Sequence, residues 1–268
     1  MVPRGHNGQA KSHRHRAEES GEVIITARTA LIGGGSAGIG YVIAERLAPT
    51  HHVVITGRDA GRLDAAAARL GEVSGHEVGT LISDIAAADP APDSAAGVLA
   101  TMKERYAPLD VLVLNAGGPP PGRILDVTDD AWRAGADLLL FGPLRLARLA
   151  LPDMASRGFG RLVFITSTMV RQPQPDLAVS VVLRAGVTAA AKLLSLEYAA
   201  DGVTVNCVAP GATDTQRRRD VLAGRAARTG RPLAEVEADD IRRVPAGRPG
   251  TPDEVAAAVA FLVSADAS

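Results

Sequence analysis

The chain has 268 residues, a formal net charge of -1, 22% charged and 46% hydrophobic residues, enough for one large α/β domain or two small ones. No basic excess calls for nucleic acid or an anionic membrane, and 28 glycines and 17 prolines at this hydrophobic share exclude collagen, coiled coil and wholesale disorder. The single cysteine, Cys207, excludes an internal disulfide and a cysteine-rich zinc site, and it points to a reducing, cytoplasmic setting.

Residues 1–21 are polar, with four basic and two acidic side chains and no apolar periodicity, and are expected to form a disordered tail. His13 and His15 form only an isolated His-x-His pair, so no metal site is expected there. No apolar stretch follows the basic residues as in a secretory signal, and no apolar run reads as long enough to span a bilayer. The folded part is taken as 22–268, one domain.

From Val23 onward, short β-branched runs alternate with longer alanine-rich amphipathic stretches, which predicts a Rossmann-type doubly wound parallel sheet. Strands are expected at 30–33, 52–56, 77–82, 110–114, 161–166 and 203–208. Helices are expected at 38–48, 59–70, 94–106, 129–156, 178–200 and 252–264, with Pro143 kinking the fourth or sitting near a helix join. The segment 216–248 carries Arg217, Arg218, Arg219, Arg225, Arg228 and Arg231. It reads as one or two helices over the carboxyl edge of the sheet. Either it is a solvated face balanced by Asp220, Glu235, Glu237, Asp239 and Asp240, or it is a lid that attracts an anionic group.

The first strand runs into Gly33-Gly34-Gly35-Ser36-Ala37-Gly38-Ile39-Gly40 and then into a helical pattern. Glycines in such a turn permit positive φ and let backbone N–H groups approach a pyrophosphate at the positive end of the helix dipole. After the second strand comes Thr56-Gly57-Arg58-Asp59. Glycine and arginine stand where an NAD site would place a carboxylate against the ribose, so NADP(H) is favoured and NAD(H) is the second choice. Asp84, after the third strand, either accepts from an adenine amino group or is a surface turn residue.

The spacing Gly34-x-x-x-Gly38-x-Gly40, Asn115-Ala116-Gly117 after the fourth strand, and Pro210-Gly211 followed by Thr215 together resemble the short-chain dehydrogenase/reductase family from about Arg28 to Ser268. The resemblance implies a nicotinamide near Pro210, Gly211 and Thr215, an adenosine ribose lined by Asn115 and Gly117, and a pyrophosphate over Gly34, Ser36, Gly38, Ile39 and Gly40. The family's usual threonine before the first motif glycine is Gly33 here.

Members of that family usually act with an asparagine, a serine, a tyrosine and a lysine four residues after the tyrosine. The serine maps onto Ser167; the tyrosine place, thirteen residues later, is Ser180; the lysine place is Arg184; and the asparagine place, seven residues after Trp132, is Leu139. The chain has only three tyrosines, and the residues four after Tyr41, Tyr106 and Tyr198 are Glu45, Asp110 and Gly202, so no Tyr-x-x-x-Lys exists anywhere. Ser180 and Arg184, four apart on an expected helix, share a face. A serine oxygen reaches roughly 4 Å less far than a tyrosine oxygen and has no phenol pKa near ~10 to tune. Arg184 stays protonated and can hydrogen-bond the ribose or a developing oxyanion. Leu139, Met169 and the arginine-rich segment are expected to face the substrate.

The sequence stops at Ala265-Asp266-Ala267-Ser268, where the resemblance implies a seventh strand. The strand at 203–208 is then expected at a sheet edge, with truncation one explanation, and the absence weakens the family's implication of a homo-oligomer. The functional expectation is an NADP(H)-dependent oxidoreductase acting on a carbonyl or alcohol of a small molecule, with Ser167, Ser180 and Arg184 in the catalytic place. Its alternatives are a non-redox enzyme on the same fold, such as a cyclase, dehydratase or isomerase, and a nucleotide-binding regulatory protein without turnover.

Overall fold

In the computed structural model, which describes residues 27–267, six strands form one parallel sheet in the order β3-β2-β1-β4-β5-β6. The strands are β1 (Arg28–Gly33), β2 (His51–Gly57), β3 (Gly79–Ile82), β4 (Leu109–Leu114), β5 (Gly160–Ile165) and β6 (Val203–Val208). Besides two short 3-10 turns, Thr168–Val170 and Ala199–Asp201, the connecting elements are α1 (Gly38–Leu47), α2 (Ala60–Ser74), α3 (Ala95–Arg105), α4 (Asp129–Ala136), a π turn (Asp137–Phe141), α5 (Gly142–Ser156), α6 (Ala178–Tyr198), α7 (Gln216–Thr229), α8 (Leu233–Arg242) and α9 (Pro252–Val263). The tail reading for 1–21 lies outside the described residues.

The strands read as continuous apolar runs because both faces of the sheet are covered. Successive side chains alternate between two cores. Leu31, Leu112, Leu114, Leu162 and Phe164 pack toward the α3, α5 and α6 side, while Ala30, Ile32, Val111, Val113, Val163 and Ile165 pack toward α1, α2 and α9. Each fully buried leucine, isoleucine or phenylalanine stabilises the fold by about 1.5–3 kcal/mol, so a single register slip would be costly on both faces at once.

Helix starts follow the sequence chemistry. Asp59, Ser94, Thr128, Thr215 and Thr251 each accept a backbone N–H in the first turn of the helix that follows, and Thr251 with Glu254 completes a capping box. Gly75 and Gly230 close α2 and α7 at φ +73° and +65°.

Three expectations change. The single helix expected at 129–156 is α4, a π turn and α5, and Pro143 sits at the join between the π turn and α5, the second of its expected places. Thr166 lies just past β5, and β3 starts at Gly79 rather than Glu77. Contrary to the reading that no apolar run is long enough to cross a bilayer, α6 with the turn after it (178–201) has that length and apolarity. Its buried face, Ala178, Val179, Ser180, Leu183, Val187 and Ala191, packs into the protein instead. Among the described residues β6 pairs only with β5 and stands at a sheet edge, as expected.

Candidate active site

The strand order reverses between β1 and β4, so the loops leaving their carboxyl ends diverge and open a crevice, the ordinary ligand position of such sheets. A cleft of about 1270 Å³ lies there. It gathers nearly all the residues singled out from the sequence: Gly34, Ser36, Gly38, Ile39, Arg58, Asp84, Asn115, Gly117, Ser167, Ser180, Arg184, Pro210, Gly211 and Thr215. Gly40 lies just beneath it, buried in α1.

The glycine turn is built by contact as well as by conformation. Gly34 and Gly38 have φ of +61° and +58°, values that L side chains adopt only under strain. A Cβ on Gly35 would sit 2.6 Å from Ile55, and one on Gly40 would run into the Gly34 carbonyl oxygen and lie 2.8 Å from Asn115 Nδ2. Asn115 donates that Nδ2–H to the Gly33 carbonyl at 3.1 Å, tying β4 to the turn. It therefore braces the turn as well as lining the cleft.

Arg58 is exposed at the end of β2 and forms no ion pair among the described residues. Its neighbour Asp59 is committed to capping α2 through the Arg62 N–H at 2.9 Å. Asp84 accepts from Ala86 N–H at 3.1 Å through one oxygen and leaves the other toward the cleft that it lines. On the far side, the loop after β6 is stitched to the serine loop: Thr168 N–H donates to Pro210 O at 3.1 Å, and Thr215 caps α7 by accepting from Arg218 N–H at 3.3 Å. Glycine geometry, a helix N-terminus, an exposed guanidinium and open space over Gly117 together fit a phosphorylated dinucleotide.

Ser167 stands at the end of β5, 8% exposed, its Oγ accepting from Met169 N–H at 3.2 Å. Ser180, 6% exposed, lies in the first turn of α6, and Arg184 sits one turn on. Arg184 donates from Nε to Ser180 Oγ at 3.2 Å, from Nη1 to Ile165 O at 2.6 Å and Thr166 O at 3.2 Å, and from Nη2 to Ala116 O at 3.5 Å. The guanidinium thus joins the ends of β4 and β5 to α6. Burial, then the nearby Arg217 charge, pulls Arg184 down to about 10, and it remains a cation at neutral pH.

One sequence expectation about the pocket is revised. Leu139 does not face the cleft: it is 3% exposed and packs with Val179 and Leu183, because the π turn rotates the chain there and presents Leu138 instead. The arginine-rich segment lines the cleft with Arg217, Arg218 and Arg225, and most of its charge is balanced, as one of its two alternatives had it. Arg218 pairs with Asp240 at 2.7 Å, Arg219 with Asp214 at 2.6 Å, and Arg225 and Arg228 with Asp176 at 2.9 and 3.0 Å. Two of these carboxylates, Asp176 and Asp214, lie outside the acidic set expected from the sequence.

Arg217 was named in that segment, but its partner across the cleft was not foreseen. Arg217 reaches across the cleft and donates from Nη2 to Pro119 O at 2.6 Å. Its guanidinium lies so close to Gly118 that a Cβ there would meet it at 2.7 Å. The doubled glycine in Asn115-Ala116-Gly117-Gly118 was the available signal.

Comparison with known proteins agrees with this geometry. A family model described as enoyl-(acyl carrier protein) reductase matches residues 34–268. The 3-oxoacyl-[acyl-carrier-protein] reductase MabA of Mycobacterium avium is 32% identical over 94% of this chain and 89% of its own length. The chain belongs to the short-chain dehydrogenase/reductase family. Human dehydrogenase/reductase SDR family member 4 is 30% identical, covering 91% of this chain and 84% of its own. Among solved structures, a variant actinorhodin polyketide ketoreductase with NADPH superposes with a TM-score of 0.83 at 34% identity, covering 90% of this chain and 92% of that one. The L-sorbose reductase of Gluconobacter frateurii, complexed with NADPH and L-sorbose, gives a TM-score of 0.82 at 29% identity, covering 91% and 92%. Both of these solved structures contain NADPH.

Proposed function

We propose that this chain is an NADP(H)-dependent oxidoreductase that acts on the carbonyl or alcohol of a small molecule through an altered active site. The observation that carries the reading is the convergence, in one cleft, of the glycine turn, the exposed Arg58 guanidinium and the hydroxyls of Ser167 and Ser180 beside Arg184. Similar structures that contain NADPH support the choice of cofactor. Arg58 would pair with a 2′-phosphate, since no carboxylate occupies that place. Gly34, Ser36, Gly38, Ile39 and Gly40 would cradle the pyrophosphate, Asp84 and Gly117 would line the adenosine, and Pro210, Gly211 and Thr215 would hold the nicotinamide end. The bound nicotinamide supplies the hydride chemistry.

The protein's part is orientation and charge stabilisation. Ser167 and Ser180 hydrogen-bond the reacting oxygen, and the cationic Arg184 raises the local potential that favours negative charge on it. No side chain in this group titrates near neutrality, so the proton is taken from or returned to water. Exposed apolar side chains on α5 and α6, Leu149, Val182, Leu193 and Leu196, support association as a homo-oligomer.

The test is thermal stability with each nicotinamide cofactor, followed by NADPH consumption against a panel of ketones and aldehydes. Ligand at about 100 times its dissociation constant raises stability by roughly 2.7 kcal/mol, or several degrees. No shift with any cofactor overturns the cofactor site. A shift without turnover favours the non-redox or regulatory reading, which the commitment of Arg184 to backbone carbonyls also accommodates.

A further inference from the structure

Two hydroxyls in the cleft are held the same way. Ser167 Oγ accepts from Met169 N–H, and Ser180 Oγ accepts from Arg184 Nε–H, each at 3.2 Å. Neither hydroxyl hydrogen has an acceptor among the described residues, and both serines line the cleft. A hydroxyl whose lone pair is occupied by an N–H keeps its hydrogen for another partner, and the polarisation makes it a better donor.

Arg184 has little left to give a ligand. A guanidinium has five N–H groups. Here Ser180 takes one, Ile165 and Thr166 take two, and Ala116 takes a fourth. One Nη2 hydrogen remains. No carboxylate forms an ion pair with Arg184 among the described residues, and a buried cation held only by carbonyl dipoles is fixed in place by them. A lysine at the same position would bring three hydrogens on a flexible stem and could turn toward a ribose. The arginine cannot turn without leaving Ile165 and Thr166 carbonyls unpaired.

We infer that Arg184 is a positioning residue that works through Ser180, fixing that hydroxyl as a donor into the cleft while its own guanidinium is held by strand-end carbonyls. This rests on the site reading given under Proposed function. There Ser180 already contacts the reacting oxygen; the addition is that Arg184 acts through Ser180 and not by direct contact.

The test uses the full chain and its S180A, S180T, R184K and S180A/R184K variants. In arginine-¹⁵N-labelled protein, the Arg184 Nε–H signal, assigned by its loss in R184K, exchanges slowly with water. In S180A it shifts and exchanges at least about 10-fold faster, while S180T, which keeps the hydroxyl, restores protection. With NADPH and a reducible carbonyl, S180A and R184K each lower kcat by about 10²-fold, in the range seen for loss of one oxyanion donor. KM for NADPH stays within about twofold, and the double variant is no slower than the slower single one. Melting temperatures report that each variant is folded. An Nε–H signal indifferent to S180A, losses that multiply in the double variant, or a raised KM for NADPH with kcat kept in R184K would each overturn the assignment. If the wild type consumes no NADPH, the reductase reading fails, while the Nε–H exchange still decides whether Arg184 holds Ser180.

Discussion

Arg184 donates its Nε–H to the Ser180 hydroxyl one helical turn away, while its Nη1 spans the ends of β5 at Ile165 and Thr166. The place where the family carries a lysine beside a tyrosine is therefore a rigid clamp beside a short hydroxyl. Reinstalling the family pair as S180Y/R184K brings a phenol oxygen roughly 4 Å farther into the cleft. General acid–base catalysis of this kind contributes typically 10²–10⁴-fold, so the expected outcome is a rise in kcat for carbonyl reduction of about 10²-fold and a new pH-dependent limb. Both are read from pH–rate profiles of variant and wild type. An unchanged or slower double variant with an intact melting temperature would show that the cleft is not built to use that pair.

Arg58 stands exposed with its neighbour Asp59 engaged in capping α2. Charge-assisted hydrogen bonds are worth about 1.5–3 kcal/mol. Arg58→Ala is expected to weaken NADPH by about 10–100-fold and NADH by much less, as measured by fluorescence or calorimetric titration. Equal losses for the two cofactors would remove the 2′-phosphate role.

The glycine turn tolerates no side chain where it packs on itself. Gly40→Ala drives a methyl into the Gly34 carbonyl and the Asn115 amide. Overpacking of this kind costs about 1–3 kcal/mol, so the melting temperature falls by several degrees and cofactor-induced stabilisation is lost. Gly75→Ala, at an αL position with nothing within 4 Å, destabilises through backbone strain alone and leaves cofactor binding intact. Differential scanning fluorimetry with and without NADPH separates the two.

Asp176 fastens the start of α6 to α7 through Arg225 and Arg228. Burial alone would raise its carboxyl, but the Arg225 hydrogen bonds and charge, with Arg228, hold it below the usual value. A depressed folded-state pKa contributes stability that is present above the unfolded value, about 3.9, and is lost as pH falls through the lower folded value. Asp176→Asn is expected to cost about 1–2 kcal/mol at neutral pH. In urea titrations the difference from wild type shrinks as pH drops below about 4. A difference that stays constant across that window would place the loss in packing rather than charge.

The sheet and the glycine turn that borders the cleft were legible from the sequence because both obey short-range rules. Apolar runs such as Val111–Leu114 mark buried parallel strands, and Gly34, Gly38 and Gly40 mark a turn that needs positive φ or close packing. The misread features have non-local causes. The π turn at Asp137–Phe141 shifts the phase of an otherwise unbroken helical pattern, and that moved Leu139 into the core. Arg184 was legible as a cation sharing a face with Ser180. Its carbonyl partners, however, lie 18, 19 and 68 residues away, and nothing in its neighbourhood announces them. Likewise Asp176 and Arg225 are 49 residues apart, and their pairing depends on where α7 folds back.

The clamp at Arg184 also constrains how this sequence can change. Lysine alone at 184 leaves strand-end carbonyls short of donors, and tyrosine alone at 180 must displace the hydroxyl that the guanidinium grips. Either single step passes through a less stable protein before the second can compensate, so the pair behaves as one inherited unit. Descendants of this chain are expected to keep both residues or to exchange both.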